Sequence, residues 1–454
     1  MPDPTLRPAT AERLQARLAR EQTERRLPSL VASLVRGGSI VWSGACGKVG
    51  DATPSAHTQY RMGSITKTFA AVCIMRLRDE GRLDLSDPLE RHMLGTALGG
   101  ATIAQLLSHA SGLQAETDGP WWERTPGSDW PALTASLTPA SLRHPAGRRF
   151  HYSNIGFAIL GELVTRLRGI SWSDAVRVEL LEPLGMSRTT TRPVAPYAPG
   201  LAVHPWADVV LPEPEHDAGA MAPAGQLWST VADLSRWAAF LGGDTAGLLS
   251  IDTLAEMREP LVIDDRPGAP WTNAYGLGLQ VSNVDGRRFV GHSGSMPGFL
   301  AALQVEVETR DAVVALTNTT AGLSVELPGD LLRMLREHEP PPIAPWAPSP
   351  TSAEILELAG VWLWGPWPLL LRVQAGGALR LDPLGMPGRS SRFRPSGDGT
   401  WTGLDGYYAG ETLRVVRRPD RSISHLDLAS FVLTRAPYDP GTGIPGGVDP
   451  AGWR

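Results

Sequence analysis

Apolar and polar positions along residues 30–336 follow a strand-like period at both ends and a helix-like period between them. Gly37-Gly38 joins two apolar runs near the start, and Asp285-Gly286 joins two more near the end. Such pairs between apolar runs are typical of β-hairpins. The predicted strands are Leu30–Val35, Ser39–Ser43, Tyr275–Val284, Arg288–His292, Phe299–Val307 and Asp311–Thr317. The predicted helices are Met1–Arg26, Thr68–Leu77, Thr102–Ser108, Ile155–Leu167, Trp172–Leu181, Thr230–Leu241 and Leu331–Glu337. This order predicts an α/β fold, an antiparallel sheet flanked by helices and joined to a helical lobe.

The pattern changes after a proline-rich stretch. Residues 339–351 contain six prolines and are typical of a stiff linker. Beyond them only strand patterns remain: Val361–Trp364, Leu369–Val373, Ala378–Leu381, Ser391–Arg394, Thr412–Val416 and Ser424–Thr434. We therefore expect a first domain over residues 1–338, the linker over residues 339–351, and a small antiparallel, lipocalin-like β-barrel over residues 352–454.

One predicted helix carries candidate chemistry. Phe69–Met75 is apolar on every face, which indicates a helix buried all round. Ser64 and Lys67 come at its first turn, three residues apart and therefore on one face. A serine hydroxyl needs a base before it attacks a carbonyl, and a neutral amine can serve. Burial and the positive end of the helix dipole both favour the neutral form of Lys67.

Composition sharpens this interpretation. The 454 residues include 42 basic side chains, of which only Lys48 and Lys67 are lysine. Arginine does not release a proton at working pH, so it cannot replace lysine as a base. Ser-x-x-Lys alone is most often a coincidence, but its place on a buried helix in a chain nearly free of lysine favours a catalytic pair.

Charge and cysteine content exclude several functions. The net charge of −5 and the lack of a basic block give no reason to expect nucleic acid or an anionic membrane as a partner. Two cysteines do not make a disulfide framework, and no Cys/His cluster has metal-ligand spacing, so neither metal nor cofactor is expected. No apolar run is long enough to cross a bilayer, and we expect a cytoplasmic protein.

Two further motifs follow Ser64-x-x-Lys67 in the chain. They are Tyr152-x-Asn154 and His292-Ser293-Gly294-Ser295, the second at a strand end. The three ordered motifs resemble those of the serine β-lactamases and penicillin-binding proteins, in the branch related to class C β-lactamases. The resemblance covers roughly Leu30 to Arg336 and implies the same α/β fold.

The resemblance also implies roles. Ser64 is the nucleophile that is acylated, Lys67 its base or proton relay, and Tyr152 a proton shuttle to the leaving group. Asn154 hydrogen-bonds Lys67 and the substrate amide, and the backbone N–H groups of Ser64 and Ser295 form the oxyanion hole. His109 is expected to be a structural hydrogen-bonding residue. Substrate-binding candidates are Gly225, Trp228 and Gly294, together with Arg435 as an anchor for a carboxylate or carbonyl at the end of the last barrel strand.

The third motif departs from the β-lactamase pattern. His292 stands where those enzymes carry lysine, so a titratable donor replaces a permanent cation. This disfavours β-lactam hydrolysis and favours the esterase, D-aminopeptidase and peptidase relatives.

The acceptor of the acyl group, water or an amine, stays open. Relatives with an appended barrel include the penicillin-binding-protein-type thioesterases, which release a nonribosomal peptide from its carrier protein by head-to-tail cyclisation. That function is the specific prediction, with a peptidyl or acyl substrate, free or carrier-bound. The alternative is a D-stereospecific aminopeptidase or an esterase, and a silent binding protein is disfavoured because all five catalytic side chains are present. The tryptophan-rich Gln114–Arg149 segment either lines a substrate groove or packs down its own loop.

Overall fold

The computed structural model describes residues 6–94, 100–341, 345–385 and 387–437. The chain divides into two compact units, Met1–Pro341 and Pro342–Arg454. No helix among these described residues has the length and apolarity needed to cross a membrane.

The first unit contains ten α-helices among its described residues. They are α1 (Pro8–Glu24), α2 (Thr66–Asp79), α3 (Ile103–Leu107), α4 (Trp130–Ser136), α5 (Asn154–Arg168), α6 (Trp172–Val176), α7 (Ala222–Gly225), α8 (Val231–Gly242), α9 (Ile251–Met257) and α10 (Leu327–His338). The predicted helix over 172–181 continues past α6 as a π-helical stretch, Arg177–Leu181.

The strands of the first unit build one large sheet and two short pairs. They are β1 (Ser29–Arg36), β2 (Ser39–Gly47), β3 (Tyr60–Arg61), β4 (Leu201–Val203), β5 (Val210–Pro212), β6 (Trp228–Ser229), β7 (Val262–Ile263), β8 (Asn273–Tyr275), β9 (Gln280–Val284), β10 (Arg287–Met296), β11 (Phe299–Glu306) and β12 (Ala312–Thr317). The large sheet has the order β2-β1-β12-β11-β10-β9-β8-β7, and every neighbouring pair is antiparallel. Both predicted hairpins are confirmed, with positive φ at Gly37-Gly38 and at Asp285-Gly286.

Apolar residues pack on both faces of this sheet. Successive side chains of a strand point to opposite faces. Val31 and Val35 of β1 therefore join the cluster that contains the buried residues of α2, α5 and α8. Leu30 and Leu34 join a second cluster with α1 and α10. The predicted α/β sandwich is confirmed.

Helix α2 lies at the centre of the larger cluster. All its residues from Thr66 to Met75 are buried, as an all-round apolar helix requires. Arg76 and Arg78 occupy its last turn, where cations complement the helix dipole. The helix ends at Asp79, and Gly81 follows with a left-handed φ of 71°.

The described residues of the second unit form one antiparallel sheet of eight strands. Its elements are α11 (Ala353–Leu356), β13 (Gly360–Trp364), β14 (Trp367–Val373), β15 (Leu379–Pro383), β16 (Ser391–Pro395), β17 (Trp401–Gly403), β18 (Thr412–Arg417), β19 (Ile423–Leu428) and β20 (Phe431–Leu433). The strands pair in chain order, and a bridge between Leu363 and Thr434 joins the first strand to the last, which nearly closes a barrel. The predicted barrel is confirmed, but the prediction of six strands is wrong.

Candidate active site

Ser64 lies in a short 3₁₀ helix, Gly63–Ile65, immediately before α2. Gly63 has a φ of 53°, and a Cβ there would lie 2.6 Å from the backbone nitrogen of Ser295. A Cβ on Gly294 would lie 2.0 Å from the carbonyl oxygen of Met62. The absence of both side chains lets β10 pack directly on the backbone that carries Ser64. The structure thus brings together the two residues expected to form the oxyanion hole, Ser64 and Ser295.

Lys67 contacts the hydroxyl of Ser64 directly. Its Nζ lies 2.9 Å from Oγ of Ser64 and donates to the carbonyl oxygen of Ala224 at 2.7 Å. The side chain is 0% exposed. Burial lowers the pKa of Lys67 to about 7, although the charges of Glu116 and Glu123 oppose this shift. A neutral amine in this position can take the proton of Ser64.

Tyr152 contacts both members of the same pair. Nζ of Lys67 is 5.0 Å from the centre of the Tyr152 ring, and the phenol hydrogen-bonds Ser64. Burial raises the pKa of Tyr152, so the phenol stays protonated at neutral pH. It is therefore placed to pass a proton on rather than to act as the first base.

Asn154 does not make the hydrogen bond that the resemblance implies. Nδ2 of Asn154 donates to Oε1 of Glu116 at 2.6 Å, and Oδ1 has no hydrogen-bond partner among the described residues. Lys67 donates to Ala224 instead of to Asn154. The expected contact between Asn154 and Lys67 is thus corrected, because α7 supplies the acceptor that Lys67 needs.

His292 is a buried neutral side chain, not the titratable donor that was expected. It is 2% exposed, and burial together with the charge of Lys67 lowers its pKa to about 3. Nδ1 lies against the carbonyl oxygen of Ser293, so Nδ1 carries the hydrogen. Nε2 then accepts from the hydroxyl of Tyr275 at 2.7 Å. Both ring nitrogens are occupied, and this position offers neither a cation nor a free donor.

His109 plays the structural part predicted for it. Its Nδ1 accepts from the backbone N–H of Ser153, which fixes the chain next to Tyr152. The rings of His109 and Tyr152 lie 4.1 Å apart.

Comparison with known proteins identifies the family of the chain. The family described as Beta-lactamase matches residues 14–335, well over half of the chain. The chain belongs to the β-lactamase family. Within it, the chain falls in the class C-like branch of the serine β-lactamases and penicillin-binding proteins, a family of serine hydrolases. A domain of unknown function, DUF7586, matches residues 351–435.

Three relatives illustrate the range of this family. Human β-lactamase-like 1 is 30% identical over 353 residues, which are 71% of this chain and 68% of the human protein. SurE, solved with D-Leu, is 25% identical to this chain and superposes on it with a TM-score of 0.59. The match covers 95% of this chain and 100% of SurE. A D-stereospecific amidohydrolase from Streptomyces sp. is 25% identical with a TM-score of 0.59, and covers 73% of this chain and 98% of its own.

Both glycines predicted to bind substrate lie beside the nucleophile. Gly294 is in contact with the backbone that precedes Ser64, as described above. A Cβ on Gly225 would lie 3.0 Å from the sulfur of Met296 and 3.8 Å from the carbonyl carbon of Gly63. A cavity of about 740 Å³ runs along β9–β11 and borders the third motif at Ser293, Gly294 and Ser295.

Trp228 lies in the core of this β-lactamase-family unit. It is 2% exposed, and its ring packs edge-on against Phe299 and Tyr197 at centroid distances of 5.0 and 5.9 Å. Its main chain pairs with Arg61 in the short β3–β6 ladder. The expectation of a substrate-facing tryptophan is corrected, since packing accounts for the side chain.

Arg435 stabilises the barrel through hydrogen bonds and ring stacking. Its guanidinium donates to the carbonyl oxygens of Val361, Glu357 and Ala359 at 2.8, 2.6 and 3.0 Å. It also stacks 3.9 Å from the ring centre of Trp362. The prediction of a substrate anchor is corrected, because backbone carbonyls of the barrel take three of its five N–H donors.

Sequence reasoning missed Glu116 and Glu123. Both come from the tryptophan-rich segment, and indole N–H groups orient both: Trp122 donates to Glu116, and Trp121 donates to Glu123. The sequence signal was the occurrence of acidic residues next to tryptophans within that segment. Among the described residues, no cluster of three or more His, Cys, Asp or Glu side chains is placed to hold a metal ion.

Proposed function

We propose that this chain is a serine acyl-transfer enzyme that works through an acyl-enzyme on Ser64. The observation that carries the proposal is the 2.9 Å approach of Nζ of Lys67 to Oγ of Ser64, in a setting that lowers the pKa of Lys67 to about 7. At neutral pH a large share of Lys67 is then neutral and available as a base, and no other group has to change its protonation state first.

The acylation step follows from this geometry. Lys67 takes the proton of Ser64 while Oγ attacks the carbonyl carbon of the substrate. The resulting oxyanion is stabilised by the backbone N–H groups of Ser64 and Ser295. The tetrahedral intermediate then expels a thiolate or an amine, which receives the proton from Lys67 through the phenol of Tyr152. The products are the ester of Ser64 and the free leaving group.

We further propose that an amine is the acceptor, as in the penicillin-binding-protein-type thioesterases. The likeness to SurE, a thioesterase of that type, supports this and extends over 95% of the chain. SurE was solved with D-Leu, so a peptidyl thioester that ends in a D-residue is the substrate of choice, free or on a carrier protein. Effective molarities of well-oriented groups reach about 10⁵ M, so a pre-organised N-terminal amine outcompetes water.

A D-stereospecific amidohydrolase or an esterase is the second candidate. The Streptomyces enzyme of that description supports it with equal identity, although the likeness covers 73% of the chain. β-Lactam hydrolysis has less support, because the neutral His292 provides no cation for a β-lactam carboxylate.

The test is incubation with a peptidyl thioester that has a free N-terminus and a C-terminal D-residue, followed by mass spectrometry. A cyclic product is lighter than the linear acid by one water. The same peptide with an acetylated N-terminus serves as the control, because it can only be hydrolysed. If the free peptide also yields only the linear acid, the hydrolase replaces the cyclase. If neither peptide is consumed faster than with Ser64→Ala, the acyl-transfer proposal fails.

A further inference from the structure

Two carboxylates, Glu116 and Glu123, lie close enough to Lys67 for their charges to act on it. Uncharged groups hold both. Glu116 accepts from Nδ2 of Asn154 at 2.6 Å and from the indole of Trp122 at 2.7 Å. Glu123 accepts from the indole of Trp121 at 2.9 Å. These neutral donors fix the carboxylates in place without neutralising their charge.

Asn154 provides an independent sign of a ligand. The side chain is 6% exposed, and its Oδ1 is buried with no partner among the described residues. A buried acceptor without a donor destabilises the fold unless a ligand supplies the donor. Because Glu116 fixes Nδ2, the orientation of the amide is determined, and Oδ1 is the atom left for an incoming hydrogen-bond donor.

The nearby cations do not compete for these acceptors. Lys67 and Arg61 are 0% and 2% exposed. Lys67 is engaged with Ser64 and Ala224, and Arg61 donates to Oε1 of Gln226 at 2.9 Å. Glu116, in contrast, is exposed, and Glu123 is half-buried. The part of the site that an incoming group meets is therefore acidic and rich in acceptors.

We propose that Glu116 and the side-chain oxygen of Asn154 form a subsite for a primary ammonium group of the substrate. An ammonium has three donors and no acceptor, which matches a carboxylate beside a carbonyl oxygen. Hydrogen bonds between charged partners are about twice as strong as neutral ones. The inference rests on the proposed acyl transfer at Ser64 and names its substrate class. The ammonium is either the α-amine of the acyl donor or the N-terminal amine of the acceptor.

The test compares two thioesters of N-acetylcysteamine, D-alanyl and D-lactyl, which differ by an ammonium in place of a hydroxyl. In the first arm, thiol release is measured for the wild type, Glu116→Gln and the control Asp118→Asn, an exposed carboxylate in the same segment. In the second arm, the D-lactyl-enzyme reacts either with water or with added D-alaninamide, and the amide product is quantified. Glu116→Gln should reduce kcat/KM about tenfold for D-alanyl and less than twofold for D-lactyl if the donor supplies the ammonium. If the acceptor supplies it, the yield of amide product falls about tenfold instead.

Equal losses for both thioesters with unchanged partitioning, or no loss in either arm, would overturn the subsite. Asp118→Asn should match the wild type in both arms, and a loss of the same size there also overturns it. Glu116→Asp, which keeps the charge, should recover part of the D-alanyl or aminolysis rate. The Ser64→Ala variant distinguishes failure of the acyl-transfer proposal from failure of the subsite proposal. Thiol release by Ser64→Ala at the wild-type rate rejects acyl transfer itself. A Ser64→Ala variant no faster than the enzyme-free reaction, together with an unaffected Glu116→Gln, rejects the subsite alone.

Discussion

Nζ of Lys67 lies 2.9 Å from Oγ of Ser64 and at the same time donates to the carbonyl oxygen of Ala224. The hydrogen bond to Ala224 orients the amine towards the serine. The position of α7 therefore determines how well Lys67 is placed to take the proton of Ser64. With two of its hydrogens and one lone pair, a neutral lysine can hold Ala224 and still accept the serine proton.

Lys67→Arg should be nearly as inactive as Lys67→Ala, because a guanidinium keeps the charge but does not release its proton. Single-turnover acylation of each variant by a D-aminoacyl thioester measures this. We expect a loss of at least about 10³-fold in both, in the upper range of general-base contributions. An Arg variant that retains most of the activity would show that Lys67 acts as a fixed cation.

The acylation rate should rise with pH, with an apparent pKa near 7, since the base is the neutral form of Lys67. A rate that is flat between pH 5.5 and 8.5 would contradict this assignment.

The free energy of unfolding should also depend on the protonation of Lys67. The pKa of Lys67 is lower in the folded chain than in the unfolded chain, so the unfolded chain binds more protons between about pH 7 and 10.5. The wild type should therefore gain stability relative to Lys67→Met as pH rises through that window.

Gly294→Ala should slow acylation strongly. Its Cβ would lie 2.0 Å from the carbonyl oxygen of Met62, so β10 has to move away and takes the N–H of Ser295 with it. Loss of one oxyanion donor costs about 10²–10³-fold in rate. Gly329→Ala is the matched control, because nothing lies within 4 Å of the added carbon. Full activity of Gly294→Ala would show that β10 does not contribute to the oxyanion hole.

Arg435→Ala should destabilise the barrel and leave catalysis alone. The change removes three hydrogen bonds to carbonyl oxygens and the stacking on Trp362, for a loss of about 1–3 kcal/mol in unfolding free energy. Urea unfolding measures the loss, with Arg389→Ala as a second variant that also removes a guanidinium stacked on an aromatic ring. If acyl transfer falls while stability is unchanged, Arg435 is a substrate anchor after all.

Local patterns in the sequence predicted much of the first unit. The proximity of Ser64 and Lys67 follows from helical spacing, since residues three apart share a face. The burial of α2 follows from its apolar residues on every face, and the two hairpins follow from their turn pairs. Each of these depends on residues that are neighbours in the chain.

Long-range contacts were not predictable in the same way. Glu116 and Asn154 are 38 positions apart, and no local pattern links them. The burial of His292 depends on Tyr275 from a neighbouring part of the sheet and on the approach of α2. In the barrel, β17 is only three residues long, and Ala429, with a φ of 55°, divides the predicted strand Ser424–Thr434 into β19 and β20. A short strand and a turn without glycine leave little signal.

The most direct test of the account is the intact mass of the protein during turnover. A D-aminoacyl or peptidyl thioester is mixed with the wild type, the reaction is quenched in acid, and the adduct is located by peptide mapping. The account predicts one acyl group per chain, attached to Ser64, and no adduct on a folded Ser64→Ala variant. An adduct at any other residue, or turnover by Ser64→Ala at the wild-type rate, would contradict it.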